Sequence, residues 1–194
     1  MRQLFLSVLV LAVVGPWTPV HAASTVFGDA AAQKCYESAR FGGGARGQEA
    51  CDRALRSSRL SKRDRAATLV NRGILLNHQR RVDEAIEDFN AALRLSGPSG
   101  EIYLNRGNSN FFRKRIKAAL ADYTRAIRHR SKDLHIAYFN RGLAYEVLGR
   151  FDDARRDYEK ALELKPGFGP ARASLVALPG GNAPGRPRPS AATG

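Results

Sequence analysis

The feature that most limits what this chain can fold into is an internal repeat. Gly73, Gly107 and Gly142 stand 34 and 35 residues apart. At the same offsets Ala85, Ala119 and Ala154 align, then Phe89, Tyr123 and Tyr158, then Ala92, Ala126 and Ala161. A fixed period of this length, with a large apolar residue between two small ones, describes a unit that cannot bury its own apolar face and does so against its copies. Inside each unit the first stretch places its core residues at i, i+4 and i+7: Leu69, Gly73 and Leu76, then Tyr103, Gly107 and Asn110, then Tyr138, Gly142 and Tyr145. That is a helical period. The glycine lets a second helix approach closely, and the alanines of that second helix do the same from the other side.

A polar phase runs through the same register. The triplet Asn-Arg-Gly recurs at 71–73, 105–107 and 140–142, and each arginine is followed sixteen residues later by Asp88, Asp122 or Asp157. One pair repeated at one separation predicts an arginine-carboxylate contact between paired helices, a structural role rather than a ligand site.

Over residues 66–168 these phases resemble the tetratricopeptide repeat (TPR) family. The resemblance implies an all-α fold, a right-handed superhelical array of antiparallel helix pairs, with repeats at 66–99, 100–134 and 135–168. It is similar in kind to exported bacterial TPR proteins. Asn110 replaces the aromatic the family carries there, so looser packing is expected in the second repeat.

The flanks divide further. Residues 1–22 read as a secretory signal: Arg2, an apolar run Leu4–Val14, Gly15-Pro16, and Val20-His21-Ala22 before cleavage. This run of eleven residues, broken only by Ser7, is short of the roughly 20 that span a bilayer as a helix, and no cysteine follows to mark a lipoprotein. A periplasmic or secreted protein is expected, with no membrane span once the signal is removed. Residues 23–65 read as a degenerate capping pair, helices near 29–40 and 47–57 joined by a flexible glycine-rich linkage, with Ala54-Leu55 echoing Ala92-Leu93. Cys35 and Cys51 lie one on each helix, and an exported chain with two cysteines so placed is expected to form a disulfide. Residues 169–178 read as a solvating C-terminal helix. The stretch 179–194, all Pro, Gly, Ala, Ser, Asn, Thr and Arg, reads as a disordered tail.

Catalytic signatures are missing: there is no G-x-S-x-G, no paired His ligands and no nucleophile with a base beside it. No metal site and no cofactor are expected. Binding remains. In this family the other face of each first helix lines a concave groove, and an Asn at the position of Asn71, Asn105 and Asn140 often grips a bound peptide's backbone, since an amide both donates and accepts. The expected peptide-binding residues are Val70, Asn71, Ile74, Leu104, Asn105 and Asn108, continuing to Phe111, Phe139, Asn140 and Leu143. The lysines of the family's carboxylate clamp are replaced by Val70 or Leu104 and by Ala67 or Glu101, so an apolar segment suits the groove better. The partner expected is a protein or peptide, and the chain is read as an adaptor or scaffold.

A second reading comes from charge. The chain carries a net charge of +14. The second repeat holds nine basic and three acidic residues while the first and third are balanced, and residues 53–65 form another basic block. Arg113, Lys114, Arg115 and Lys117 are the candidate anion-binding residues. Lys117 stands near a helix start where the other repeats have Asp83-Glu84 and Asp152-Asp153, whose charge suits the positive end of the helix dipole. The partner in that reading is an anionic polymer: envelope polymer, lipid or nucleic acid.

Overall fold

The structure, a computed structural model, describes residues 29–179. The expected signal at 1–22, the start of the capping segment and the tail beyond Pro179 lie outside those residues. The described residues form nine helices and no strand: α1 Ala30–Phe41, α2 Gly44–Arg56, α3 Lys62–His78, α4 Val82–Ser96, α5 Gly100–Phe112, α6 Ile116–Arg128, α7 Leu134–Val147, α8 Phe151–Leu164 and α9 Gly169–Ala177. The pairs α3/α4, α5/α6 and α7/α8 are the three repeats, α1/α2 is the pair that precedes them, and consecutive elements pack on one another along the array.

The repeated phases do what their chemistry dictates. A Cβ added to Gly73, Gly107 or Gly142 would lie 2.6–2.8 Å from the ring of Phe89, Tyr123 or Tyr158, so only glycine lets the ring seat against the backbone of the first helix. The arginine-aspartate pairs form in all three repeats. Each guanidinium grips its carboxylate through two nitrogens, with shortest contacts of 2.7 Å for Arg72–Asp88, 2.6 Å for Arg106–Asp122 and 2.7 Å for Arg141–Asp157. The hydrogen bond to the aspartate outweighs burial and raises each arginine further above its ordinary value. A third nitrogen reaches back to the preceding pair, to Asp52, Asn90 or Thr124, so the ladder ties neighbouring units as well as paired helices.

Two expectations are corrected. The second repeat is not loosely packed at Asn110. That amide is buried and donates to Asp122 Oδ2 at 3.0 Å, so a hydrogen bond takes the place of an apolar contact. The glycines after α1 are also not a flexible linkage. Gly42 takes φ 84° and the N–H groups of Gly42 and Gly43 both donate to Ser38 O, which closes α1 with a left-handed residue and starts α2 at Gly44. Asp29 caps the start of α1, accepting from the N–H groups of Ala31 and Ala32.

A shift of 38 residues lays this first pair over the first repeat. Gly42 meets Arg80, Gly47 meets Ala85 and Ala54 meets Ala92. In that register Cys35 and Cys51 occupy the places of Gly73 and Phe89, and they are joined by a disulfide. Cys35 and Ala39, both small and buried, let α1 lie close along α3, with Cys35 Sγ 3.8 Å from Thr68 O, while Ala32 packs with Ala54 of α2. At the other end α9 buries Ala171 and Leu178 against α8 and leaves Val176 exposed.

Candidate functional site

The first helices α3, α5 and α7 stand side by side, and their inner face is where the groove was expected. The structure divides the expected residues in two. Val70, Asn71, Ile74, Leu104 and Asn105 are buried. Their phases point between neighbouring helices rather than into open space: Val70 and Ile74 belong to the core shared by α1, α2, α3, α4 and Ile102 of α5, and Leu104 belongs to the core shared by α5, α6 and α7. Asn105 is turned inward as well, its Nδ2 donating to Glu101 O one turn back at 3.1 Å. These five are therefore not available to a ligand in this conformation. Asn108, Phe111, Phe139, Asn140 and Leu143 remain half-buried. Of these, Phe139 is already packed edge-on against Phe168 and tilted against Tyr158. The open part of the strip is the α5–α7 junction.

That junction is pre-ordered by side-chain hydrogen bonds. Asn140 Nδ2 donates to Asn108 Oδ1 at 2.8 Å, and the same oxygen accepts from Tyr123 Oη at 3.1 Å. Tyr158 Oη donates to Glu146 at 2.7 Å. Burial pushes both phenols well above their ordinary value, so each stays a proton donor. Between α3 and α5 a second set is fully buried: Asn77 Nδ2 donates to Ser109 Oγ at 2.8 Å. The reach of the tyrosines was missed from sequence. Its signal was Tyr rather than Phe at positions 123 and 158, since a buried hydroxyl needs a partner one helix away.

Of the expected anion-binding residues, Arg113, Lys114 and Arg115 form the turn that joins α5 to α6, and Lys117 lies in the first turn of α6. Arg113 and Arg115 both reach back to one carboxylate, Asp83 of the preceding repeat, at 2.9 and 3.2 Å. In the flanking repeats the arginine before the second helix instead pairs within its own turn, Arg81 with Glu84 and Arg150 with Asp153. Ala118 replaces that acid in the second repeat, which frees Arg115 to cross. Lys114 and Lys117 are exposed and make no ion pair among the described residues. In the other basic block, Arg65 is a structural residue: it donates to the carbonyls of Leu55 and Ser57 and closes the end of α2. Among the described residues no three His, Cys, Asp or Glu side chains come together as a metal site, and no helix is long and apolar enough to cross a membrane.

Sequence models of the tetratricopeptide repeat match residues 38–99 and 135–168. Human tetratricopeptide repeat protein 36 is 30% identical over 118 residues, which is 59% of this chain and 61% of that protein. The chain spans at most 61% of the length of the first curated relatives it matches. Among solved structures, MamA aligns with TM-score 0.65 at 26% identity, covering 78% of this chain and 84% of its own. The first TPR of Spaghetti (RPAP3), bound to the HSP90 peptide SRMEEVD, aligns with TM-score 0.57 at 26% identity, covering 62% of this chain and 94% of its own. The helix pairs, the glycine-ring contacts and these matches together identify tetratricopeptide repeats at residues 38–99 and 135–168, carried on a tetratricopeptide-repeat solenoid fold.

Proposed function

We propose that this protein is a non-catalytic adaptor that holds an apolar protein segment, extended or helical, against the α5–α7 junction. The observation that carries the reading is that Phe111 and Leu143, each packed on a neighbouring core, keep part of their surface exposed beside the Asn108–Asn140 amides, which are already fixed in place. Apolar side chains beside oriented amides can bury a segment's side chains while meeting its backbone polar groups. The likeness to a TPR domain bound to a peptide supports this use of the face. The segment need not be acidic like that peptide, because the charged member of this strip is Glu146 and the clamp lysines are replaced. We further propose that the protein works outside the cytoplasm, on the strength of the leader-like residues 1–22; N-terminal sequencing of the protein from an envelope fraction tests this, expecting a start at Ala23.

The binding reading is tested by selecting ligands for the full chain from a displayed peptide library and mapping the best of them by NMR. Shifts concentrated at residues 108–111 and 140–146 are expected. Shifts confined to the outer helices α4, α6 and α8 would remove the site.

A further inference from the structure

The turns between first and second helices all fall on one edge of the array, because the helices alternate in direction. Contacts join them directly: Arg81 donates to Gln48 of α2, Arg80 lies 4.5 Å over the Phe112 ring, and Asp83 meets Arg113 and Arg115. Two chemistries are concentrated there. One is positive charge, in excess on the α5–α6 turn with Arg113, Lys114, Arg115 and Lys117, whereas the flanking turns also carry Asp83 and Glu84, and Asp152 and Asp153. The left-handed residue of the four turns is Gly42, Arg80, Lys114 and Gly149, with φ of 84°, 65°, 57° and 71°. Glycine takes that conformation without cost, whereas a residue with a Cβ is strained there. In the two middle turns a cation nevertheless stands there. Lys117 then adds a further charge at the start of α6, where no acid or side-chain cap offsets it.

The other chemistry is exposed apolar surface. Among the described residues six large hydrophobic side chains are exposed, and four of them lie on this edge: Phe41 at 76%, Val147 at 56%, Leu148 at 41% and Phe151 at 37%. In the first repeat the position of Phe151 is Val82, which is buried. The last of the four turns, between α7 and α8, has no following repeat among the described residues to cover it.

We propose that this edge docks on the surface of a membrane rich in anionic lipid. Cations reach the phosphates while apolar tips enter the boundary between headgroups and acyl chains, the combination that holds interfacial proteins. Nucleic acid would be served by the same cations but not by Val147 and Leu148, which have no ring to stack on a base. Val147, Leu148 and Phe151 stand together on one turn, an exposed apolar patch of the kind that marks an interaction surface. The proposal is independent of the inner groove, which opens on a different side of the helices.

Co-sedimentation of the full chain with vesicles tests it, comparing phosphatidylcholine alone with equal parts phosphatidylcholine and phosphatidylglycerol. Two variants of the full chain separate this edge from the residues outside 29–179, which all the proteins share. Lys114→Gly with Lys117→Ala removes two charges while suiting the left-handed turn, and should weaken binding to the anionic vesicles on the order of 30-fold at low salt. Val147→Ser with Leu148→Ser and Phe151→Ser should weaken it roughly tenfold and leave the remainder removable by salt. Both variants should keep the wild-type circular dichroism. Equal binding to neutral and anionic vesicles overturns the proposal, as does binding that neither variant weakens. Loss from the basic variant alone, with the apolar variant unchanged, marks a polyanion surface that does not enter lipid and overturns it too. So does capture of a single-stranded oligonucleotide in place of vesicles.

Discussion

The pair α1/α2 and the three repeats after it meet one packing demand with different residues. In each repeat a glycine and a ring sixteen positions later let two helices close, and the adjoining arginine and aspartate tie them. In the first pair the glycine and ring become Cys35 and Cys51, and the arginine and aspartate become Lys34 and Ala50. A covalent bond replaces both the ring contact and the ion pair. The exchange has a consequence for function. Small side chains on α1 let it lie along α3 and bury Val70 and Ile74, whereas Asn108 and Leu143, in the register of Ile74, stay half-exposed in the later repeats. The inner face is closed at the N-terminal end and open at the α5–α7 junction.

Removing a tie from either kind of unit shows whether the contrast is real. The largest effect is expected from Asp122→Ala. This buried carboxylate serves Arg106 and Arg125 as well as Asn110, and its loss leaves a partly buried cation without its partner. Urea unfolding should show a loss of about 3–5 kcal/mol. The double variant Arg106→Met with Asp122→Leu should lose less, because the partly buried Arg106 charge is no longer stranded while half-exposed Arg125 turns to solvent and only the Asn110 amide is left unpaired. Next comes Cys35→Ala with Cys51→Ala, or reduction by a dithiol, which should cost about 3 kcal/mol in the chain-entropy account of a loop this short. Hydrogen exchange should locate that loss in residues 30–56 and leave α5 to α8 protected. Gly107→Ala follows: the new methyl meets the Tyr123 ring at 2.7 Å in a packed core, for an expected loss of about 1–3 kcal/mol by thermal or urea melts. The smallest change is a gain. Lys114→Gly relieves a left-handed residue and should raise stability by about 0.5 kcal/mol, while Gly149→Lys should lower it by a similar amount.

Much of this architecture is legible in the chain alone, because a repeat states each contact three times. The glycine-ring phase and the arginine-aspartate phase each determine one geometry, and a pair found at one separation in three registers leaves few alternatives. The site was less legible for the same reason. Val70, Leu104 and Asn105 share the repeat's period whether they face a groove or a neighbouring helix, and only the distance between adjacent first helices separates the two. The closing of α1 over α3 depends on small side chains that carry no directional signal. The crossing of Arg115 to Asp83 depends on an acid missing at Ala118, which reads in sequence as a charge imbalance and not as a contact. Asn110 shows the converse: an amide in an aromatic's place reads as a packing fault until its partner, Asp122, is in view.

The claim that function sits where the inner face is open is tested most directly by affinity. A fluorescent peptide from the library selection would be titrated into the wild-type chain, into Phe111→Ser with Leu143→Ser, and into Ile74→Val as a control in the closed part of the face. The account predicts at least tenfold weaker binding by the double variant, with wild-type circular dichroism, and unchanged binding by the control, since two half-exposed apolar side chains each contribute on the order of 1 kcal/mol when covered. Undiminished affinity in a folded Phe111→Ser, Leu143→Ser protein would contradict it.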